Sequence, residues 1–209
     1  MSFSPVPEPG SPALDAAVAT LRGGGVVAYP SETVWGLAAH PEVPQAIRRL
    51  YTLKGRAADK AVQVSCQDAA VALTLAQPSA ALEALSALWP GPLTLVTPAH
   101  PGVPDALAPG GLIGLRVPAH PLALALLRAA GGVLVTTSCN PSGQPPALSE
   151  AQATQMKLAD LVLPSGEEHS GGQASTVVQL PELHILRTGG VGEALLRATL
   201  KAAGVDTHP

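Results

Sequence analysis

The sequence contains few aromatic residues, few cysteines and few charged residues. Aromatic side chains make up 2% of its 209 residues and charged ones 13%, whereas hydrophobic residues make up 46%. This composition excludes a disordered, charge-driven chain. Because aromatics are scarce, we expect a core built from Ala, Leu and Val. Cys66 and Cys139 are too few and too far apart to predict a disulfide framework or a CxxC metal site.

Long apolar runs and nucleotide-binding fingerprints are also missing. No stretch approaches the ~20 apolar residues that span a bilayer, and residues 1–10 lack a signal-peptide pattern. These features predict a soluble, cytoplasmic protein with no membrane partner. The net charge of −3 disfavours a protein that coats nucleic acid nonspecifically. The absence of G-x-x-x-x-G-K-[ST] and G-x-G-x-x-G sequences disfavours a P-loop or dinucleotide fold.

Short apolar segments alternate with segments that begin at Ser or Pro and end at Gly. The pattern predicts helices at 12–22, 44–53, 68–77, 79–88, 121–130, 149–157 and 192–203, and strands at 26–29, 61–66, 93–97, 112–117, 133–137, 160–163, 174–180 and 183–187. This alternation predicts an α/β fold with a mixed sheet. We expect a flexible tail over residues 1–10 and one domain over 11–209, because no repeat or long linker occurs.

Positive charge is concentrated in one stretch. Five of the twelve Lys and Arg residues lie between positions 48 and 60. Two of them fit the solvated face of a helix. Lys54, Arg56 and Lys60 instead leave that helix through Gly55 into a loop. Arg can clamp two phosphate oxygens and Lys supplies a point charge, so we interpret this group as an anion site, with a solvated helix face as the alternative.

Two polar loops follow predicted strands. Residues 29–37 (YPSETVWGL) place hydroxyls and a carboxylate after one strand, and residues 137–143 (TSCNPSG) follow another. Ligands of open α/β sheets bind at strand ends, and such a loop can turn N–H groups toward an anion. The alternatives are ordinary turns, one capped by hydroxyls and the other using Asn140 for its tolerance of left-handed backbone.

Two arginines belong to apolar strands. Arg116 lies between Leu115 and Val117, and a charge in such a strand usually has a designated partner. Arg187 ends a strand, where its guanidinium either enters a cavity or reaches solvent. The six histidines do not cluster at metal-ligand spacing, and none is placed to activate Cys139. Cys139 therefore fits a small buried residue better than a nucleophile.

Six blocks in register carry a family resemblance. They are YPSETVWGL, KGR, WPGPLTLV, LRVPAHPLALALL, TSCNPSG, and STVV with LRTGG, which together extend over residues 26–191. The chain resembles the YrdC-type family, the L-threonylcarbamoyladenylate synthases. Five positions depart from the family pattern without removing a charge: Ser31, Ala57, Ser65, Cys139 and Thr188. Ser65 stands where some members carry a His near threonine.

The resemblance implies a single domain with a twisted mixed β-sheet flanked by helices and a deep, positively charged concave face. It implies an enzyme that condenses L-threonine, bicarbonate and ATP to threonylcarbamoyl-AMP and pyrophosphate, for threonylcarbamoyladenosine at position 37 of tRNA. Mg²⁺ would accompany ATP without dedicated protein ligands. The tRNA would be reached directly or through a downstream threonylcarbamoyl transferase complex.

The resemblance also assigns roles by matching position. Lys54 and Arg56 would be catalytic. The ATP-binding residues would be Lys54, Arg56, Lys60, Asn140 and Arg187. The threonine-binding residues would be Thr33, Arg116, Ser138 and Ser175, with Arg116 pairing the carboxylate.

Two other functions remain open at this point. The first is a non-catalytic YrdC-like module that binds RNA or nucleotide, although an RNA-binding face would not need the separated set Lys54, Arg56, Ser138 and Asn140. The second is a carbamoyl-transfer domain of the kind found in hydrogenase maturation proteins. Those domains lie in much larger chains with zinc-finger motifs, whereas this chain has two cysteines.

Overall fold

A sheet of nine strands organises the part of the chain that the computed structural model describes, which is residues 10–54, 63–165 and 170–206. The strands are β1 Val27–Tyr29, β2 Gly36–Ala39, β3 Gln63–Cys66, β4 Leu93–Pro98, β5 Leu112–Arg116, β6 Val133–Ser138, β7 Leu161–Val162, β8 Thr176–Gln179 and β9 His184–Arg187. The helices are α1 Pro12–Arg22, α2 Pro44–Lys54, α3 Ala69–Thr74, α4 Ala80–Ser86, α5 Pro121–Ala129, α6 Glu150–Met156 and α7 Glu193–Ala202. A short 3₁₀ turn, Pro109–Gly111, precedes β5.

The sheet is mixed, as the sequence predicts. Its strand order is β7-β1-β2-β6-β3-β5-β4-β8-β9. The pairs β1/β7, β3/β5 and β4/β8 are parallel, and the remaining neighbours are antiparallel. Long connections therefore bring segments that are distant in sequence side by side in the centre of the sheet.

Side-chain caps explain where most helices begin. Ser11, Asp68, Ser79 and Ser149 each accept a hydrogen bond from a backbone N–H in the first turn of the following helix. His120 does the same for α5 through Nδ1. Such caps satisfy N–H groups that have no partner within the helix. The predicted helix starts are confirmed to within one residue, and such caps explain five of them; α3 and α4 end earlier than the sequence predicts.

Strand β2 is not among the elements expected from the sequence. Its residues, Gly36–Ala39, are Gly, Leu and Ala, which individually favour strands weakly. The strand exists because it pairs on both sides, Ala38 lying opposite Val27 of β1 and opposite Thr136 of β6. Pairing with two neighbours outweighs the low intrinsic propensity of the segment.

Alternation along the central strands separates two faces of the sheet. Residues such as Val64, Leu95 and Leu115 point into a large core shared with α2, α4 and α7. On the opposite face, α1 and α5 pack on one part of the sheet, against Val27 and Leu134. Further along that same face, the strands carry the floor of an open cavity. The uncovered part of this face positions the candidate site.

Some expectations fall on residues that the structure does not describe. Residues 1–9, 55–62, 166–169 and 207–209 are outside the described ranges. The predicted tail, except Gly10, and the predicted site residues Arg56 and Lys60 belong to these segments. Within the described ranges, every helix is too short or too polar to traverse a bilayer.

Replacing Leu95 by Ala should lower the free energy of unfolding by about 2–5 kcal/mol, because it leaves a cavity in the core beneath the sheet. Leu95 is 0% exposed. The matched control is Leu195→Ala in α7, where Leu195 is 51% exposed. We expect the control to change stability by less than about 0.5 kcal/mol. Urea unfolding followed by circular dichroism measures both, and equal losses would contradict this assignment of the core.

Candidate active site

A cavity of about 490 Å³ lies above the uncovered part of the sheet. It is lined by all of the predicted site residues that the structure describes, namely Thr33, Lys54, Arg116, Ser138, Asn140, Ser175 and Arg187. These residues come from segments that are far apart in sequence. The structure therefore brings them together at one place, while the substrate that each one holds stays a prediction.

Arg116 occupies the end of β5 with its guanidinium buried, since only 6% of the residue is exposed. Its NH2 group donates to Glu32 Oε1 at 2.7 Å and to Thr33 Oγ1 at 2.9 Å. The sequence predicts that Arg116 has a partner within the protein. That partner is Glu32, in the loop between β1 and β2. Among the described residues, Arg116 Nε and Glu32 Oε2 are buried without a hydrogen-bond partner. The cluster is therefore incomplete in its hydrogen bonding.

The loop after β1 is held in place by its own hydroxyls and by a distant segment. Ser31 Oγ and Thr33 Oγ1 lie 2.9 Å apart, and Ser31 Oγ donates to the carbonyl of Val34. The N–H of Gly172 donates to the carbonyl of Thr33 at 2.8 Å. The hydroxyl-capped turn is therefore present, and Thr33 lines the cavity, while its role in binding a ligand stays a prediction.

Lys54 ends α2 and joins it to the loop after β6. Its ammonium group donates to Ser138 O at 2.9 Å, Ser138 Oγ at 3.1 Å and Asn140 Oδ1 at 2.7 Å. Asn140 Nδ2 in turn donates to the carbonyls of Pro141 and Gln144. The amide of Asn140 therefore fixes the turn around it, and Lys54 holds the whole turn against the cavity.

Arg187, the last residue of β9, is anchored to the segment that precedes β8. Its Nε and NH2 donate to the carbonyl of Ser175 at 3.0 and 2.9 Å, and NH2 also donates to Ser175 Oγ at 2.9 Å. The side chain both lines the cavity and reaches solvent. A Cβ at Gly189 would overlap the carbonyl oxygen of Ala174, so the close approach of these two segments requires glycine there.

Tyr29, the last residue of β1, also lines the cavity. Burial raises the pKa of its hydroxyl above the usual range, against the opposing effects of Arg116 and of hydrogen bonds with Ser65 and Thr136. The hydroxyl is therefore neutral at physiological pH. The Tyr29 ring lies against Gly36, where a Cβ would come within 2.7 Å of ring atom Cε1. The glycine of the YPSETVWGL block thus makes room for the tyrosine.

Cys139 is buried beside the cavity and is unsuited to act as a nucleophile. It is 0% exposed, and burial raises the pKa of its thiol to about 11 although Lys54 acts in the opposite direction. The reactive thiolate is accordingly scarce near neutral pH. The expectation of a small buried residue at this position is confirmed.

Among the residues that the structure describes, the cavity lining carries three cationic side chains, those of Lys54, Arg116 and Arg187. Each one is hydrogen-bonded to oxygen atoms, so their positions are fixed. Fixed cations around a polar cavity favour anionic ligands such as carboxylates and phosphates.

One family matches this chain over most of its length. The Sua5/YciO/YrdC family model, described as "Telomere recombination", matches residues 19–189. The chain belongs to the Sua5/YciO/YrdC family. The resemblance carried by the six sequence blocks is thereby confirmed.

Curated members of the Sua5/YciO/YrdC family share one name. A Threonylcarbamoyl-AMP synthase of Halorhodospira halophila is 45% identical over 139 residues, which cover 65% of this chain and 73% of the relative. A second protein with that name, from Stenotrophomonas maltophilia, is 39% identical over 183 residues, covering 84% of this chain and 97% of the relative. Both relatives are thus named after the activity that the sequence resemblance implies.

A solved structure of a family member has the same fold. The crystal structure of P. abyssi Sua5 complexed with L-threonine superposes with a TM-score of 0.80 at 31% sequence identity. The match covers 90% of this chain and 57% of the P. abyssi chain, so this chain spans less than two thirds of that protein. The likeness confirms the α/β fold with a large mixed sheet.

Several polar residues of the cavity are not among the predicted site residues. They include Tyr29, Gln63, Thr94 and Thr136. A signal for Thr94 is present, since it lies between Leu93 and Leu95 in the same alternation that singles out Arg116. For the others, the strand register decides which face they occupy.

Both cysteines should resist alkylation in the folded protein. Burial raises the pKa of the Cys66 thiol to about 12 and that of Cys139 to about 11. Iodoacetamide at about pH 8, where an exposed cysteine with a pKa near 8.5 reacts, should leave the native protein unmodified. The same reagent in urea should add two groups, which mass spectrometry counts. Rapid modification of native Cys139 would contradict the assignment.

Proposed function

We propose that this protein is a threonylcarbamoyl-AMP synthase, which joins L-threonine, bicarbonate and ATP and releases pyrophosphate. The observation that carries the proposal is that a buried arginine and a lysine bonded to an asparagine-containing turn line the same cavity. Such groups suit a carboxylate and a phosphate. The names of the relatives support the same reaction.

Arg116 suits the carboxylate of an amino acid. Its guanidinium lines the cavity, and a guanidinium can bind a planar carboxylate through paired N–H groups. Thr33 Oγ1, which accepts from Arg116, would border the same ligand. Glu32 is already committed to Arg116 in an ion pair, which keeps the guanidinium in position before the substrate arrives.

Lys54 and the turn at Asn140 suit a triphosphate. The ammonium protons of Lys54 already point at three oxygens, so Lys54 would act through its charge and by holding the turn. Arg56 and Lys60, which follow it outside the described residues, would extend this cationic site, as the family resemblance implies. Arg187 would contact the nucleotide from the opposite side.

The reaction needs positioning more than covalent help from the protein. The amine of threonine captures CO2 derived from bicarbonate and becomes a carbamate after losing a proton. A carbamate oxygen then attacks the α-phosphorus of ATP, forming an O–P bond as the bond to the leaving pyrophosphate breaks. Fixed cations and oriented hydroxyls are suited to this transfer, because they hold anionic groups together and stabilise developing charge.

Mg²⁺ would enter this site with the triphosphate. Glu32 is engaged by Arg116, and none of the described residues that line the cavity carries a carboxylate, so we expect phosphate oxygens to hold the ion. When bound, the metal would neutralise charge on the phosphates. The adenylate product would then pass to tRNA, directly or through a downstream threonylcarbamoyl transferase complex.

The purified protein should release pyrophosphate from ATP only when L-threonine and bicarbonate are both present. The reason is that the carbamate, which attacks ATP, forms from these two compounds. A coupled pyrophosphatase assay measures the release, with each substrate withheld in turn as the control. Tight ATP binding without pyrophosphate release would contradict the proposal and would favour a nucleotide- or RNA-binding module.

Replacing Lys54 by Ala should lower turnover by about a hundredfold or more, because the phosphate site loses a charge and the turn at Asn140 loses its anchor. Circular dichroism and the urea midpoint should show that the fold is retained. Lys201→Ala on the exposed face of α7 is the matched control and should keep full turnover. Full turnover in Lys54→Ala would remove Lys54 from the phosphate site.

A further inference from the structure

A row of hydrogen-bonded side chains crosses the cavity floor from β3 to β9. Thr94 Oγ1 donates to Gln63 Oε1 at 2.8 Å and lies 3.0 Å from Ser175 Oγ. Ser175 Oγ then accepts from Arg187 NH2 at 2.9 Å. Thr94 is 4% exposed and Ser175 is 2% exposed, so bulk water does not compete strongly for these contacts. These hydrogen bonds join β3, β4, the segment before β8, and β9.

The orientation of the Gln63 amide sets the direction of the row. Gln63 Nε2 lies 3.1 Å from Ser65 Oγ and 3.2 Å from Thr136 Oγ1, two hydroxyl oxygens that are themselves 2.8 Å apart. The structure has the amide with Oε1 facing Thr94 and Nε2 facing these two hydroxyls. The direction of the row follows from this orientation.

This orientation fixes the hydroxyl of Ser175. The single proton of Thr94 Oγ1 goes to Gln63 Oε1, so Ser175 Oγ must donate its own proton to Thr94. Arg187 supplies a proton to one lone pair of Ser175 Oγ. What remains for a ligand in the cavity is the second lone pair. Ser175 can therefore accept a hydrogen bond from a ligand but cannot donate one.

We propose that Gln63 is a positioning residue that, through Thr94, presents Ser175 Oγ to the amino-acid substrate as a hydrogen-bond acceptor. This inference rests on the proposed function, because it takes L-threonine as the ligand. Gln63 does not act on the reacting atoms. It sets which kind of group the site accepts at Ser175.

The hydroxyl of threonine is the donor that fits this acceptor. The guanidinium of Arg187 lies against Ser175, so a positively charged ammonium group at the same place would be repelled. A neutral hydroxyl meets no such penalty. Selectivity for a substrate with a free side-chain hydroxyl therefore depends on Gln63, which lies two hydrogen bonds away from the ligand.

The test compares L-threonine with O-methyl-L-threonine, whose ether oxygen can accept a hydrogen bond but cannot donate one. Dissociation constants of both compounds are measured by titration calorimetry with the purified protein and with Gln63→Met. In this variant Thr94 loses its acceptor, and Ser175 becomes free to turn its proton into the cavity. We expect the preference for threonine over the ether to fall by about tenfold, roughly the effect of one hydrogen bond.

Two further variants test whether the acceptor that residue 63 offers to Thr94, and not a general disturbance of the fold, sets the preference. Gln63→Glu keeps an acceptor for Thr94 and should keep the wild-type preference. Thr94→Val breaks the same row, so it should lower the preference as Gln63→Met does, and combining both changes should add little. The matched control is Gln77→Met, because Gln77 bonds the carbonyl of Ala99 outside the cavity. It should leave both dissociation constants unchanged.

An unchanged preference in Gln63→Met, or an equal fall in Gln63→Glu, would overturn the inference. So would a failure of the wild-type protein to bind threonine, or of every variant to bind the ether. The pyrophosphate assay is independent of this result. If the wild-type protein releases no pyrophosphate yet binds threonine with a Gln63-dependent preference, the proposed function fails and the positioning role stands.

Discussion

Alternation of side chains across the central strands is the constraint on which the rest of the structure depends. In β4 and β5, Leu95 and Leu115 point into one core while Thr94 and Arg116 point to the opposite face. Cross-strand pairing places these polar residues beside those of β3, with Ser65 opposite Arg116. A shift of one residue in β5 would turn Arg116 toward the apolar core, and the same shift in β4 would do so to Thr94. The candidate site therefore forms only when the strands of the sheet pair in this register.

The cationic side chains of the cavity donate hydrogen bonds to oxygen atoms of the protein. Arg116 pairs with Glu32 and Thr33, and Lys54 bonds Ser138 and Asn140. A buried cation without such partners would be strongly unfavourable. Because the partners come from loops, each ion pair or hydrogen bond also fixes a loop against the sheet. The groups proposed to bind carboxylate and phosphate are thus ordered before any ligand binds, which lowers the cost of binding.

The cavity combines this fixed charge with hydroxyls and amides of defined polarity. Gln63, Thr94 and Ser175 form a hydrogen-bonded row across the cavity floor. The buried thiol of Cys139, whose pKa burial raises to about 11, offers no competing nucleophile. This inventory suits a reaction that brings several anionic substrates together and needs no covalent enzyme intermediate. It agrees with the name carried by the relatives of the Sua5/YciO/YrdC family.

Much of this protein follows from its sequence, because the signals are local. Caps such as Ser11 and Ser149, the polar blocks and the charge of Arg116 in an apolar strand predict the α/β class and most of the site. Tertiary structure alone decided the rest. Strand β2 depends on two neighbours, and Lys54 meets Asn140 from 86 positions away. The role of Gln63 depends on strand register, since its hydrogen bonds join residues that sequence spacing does not relate.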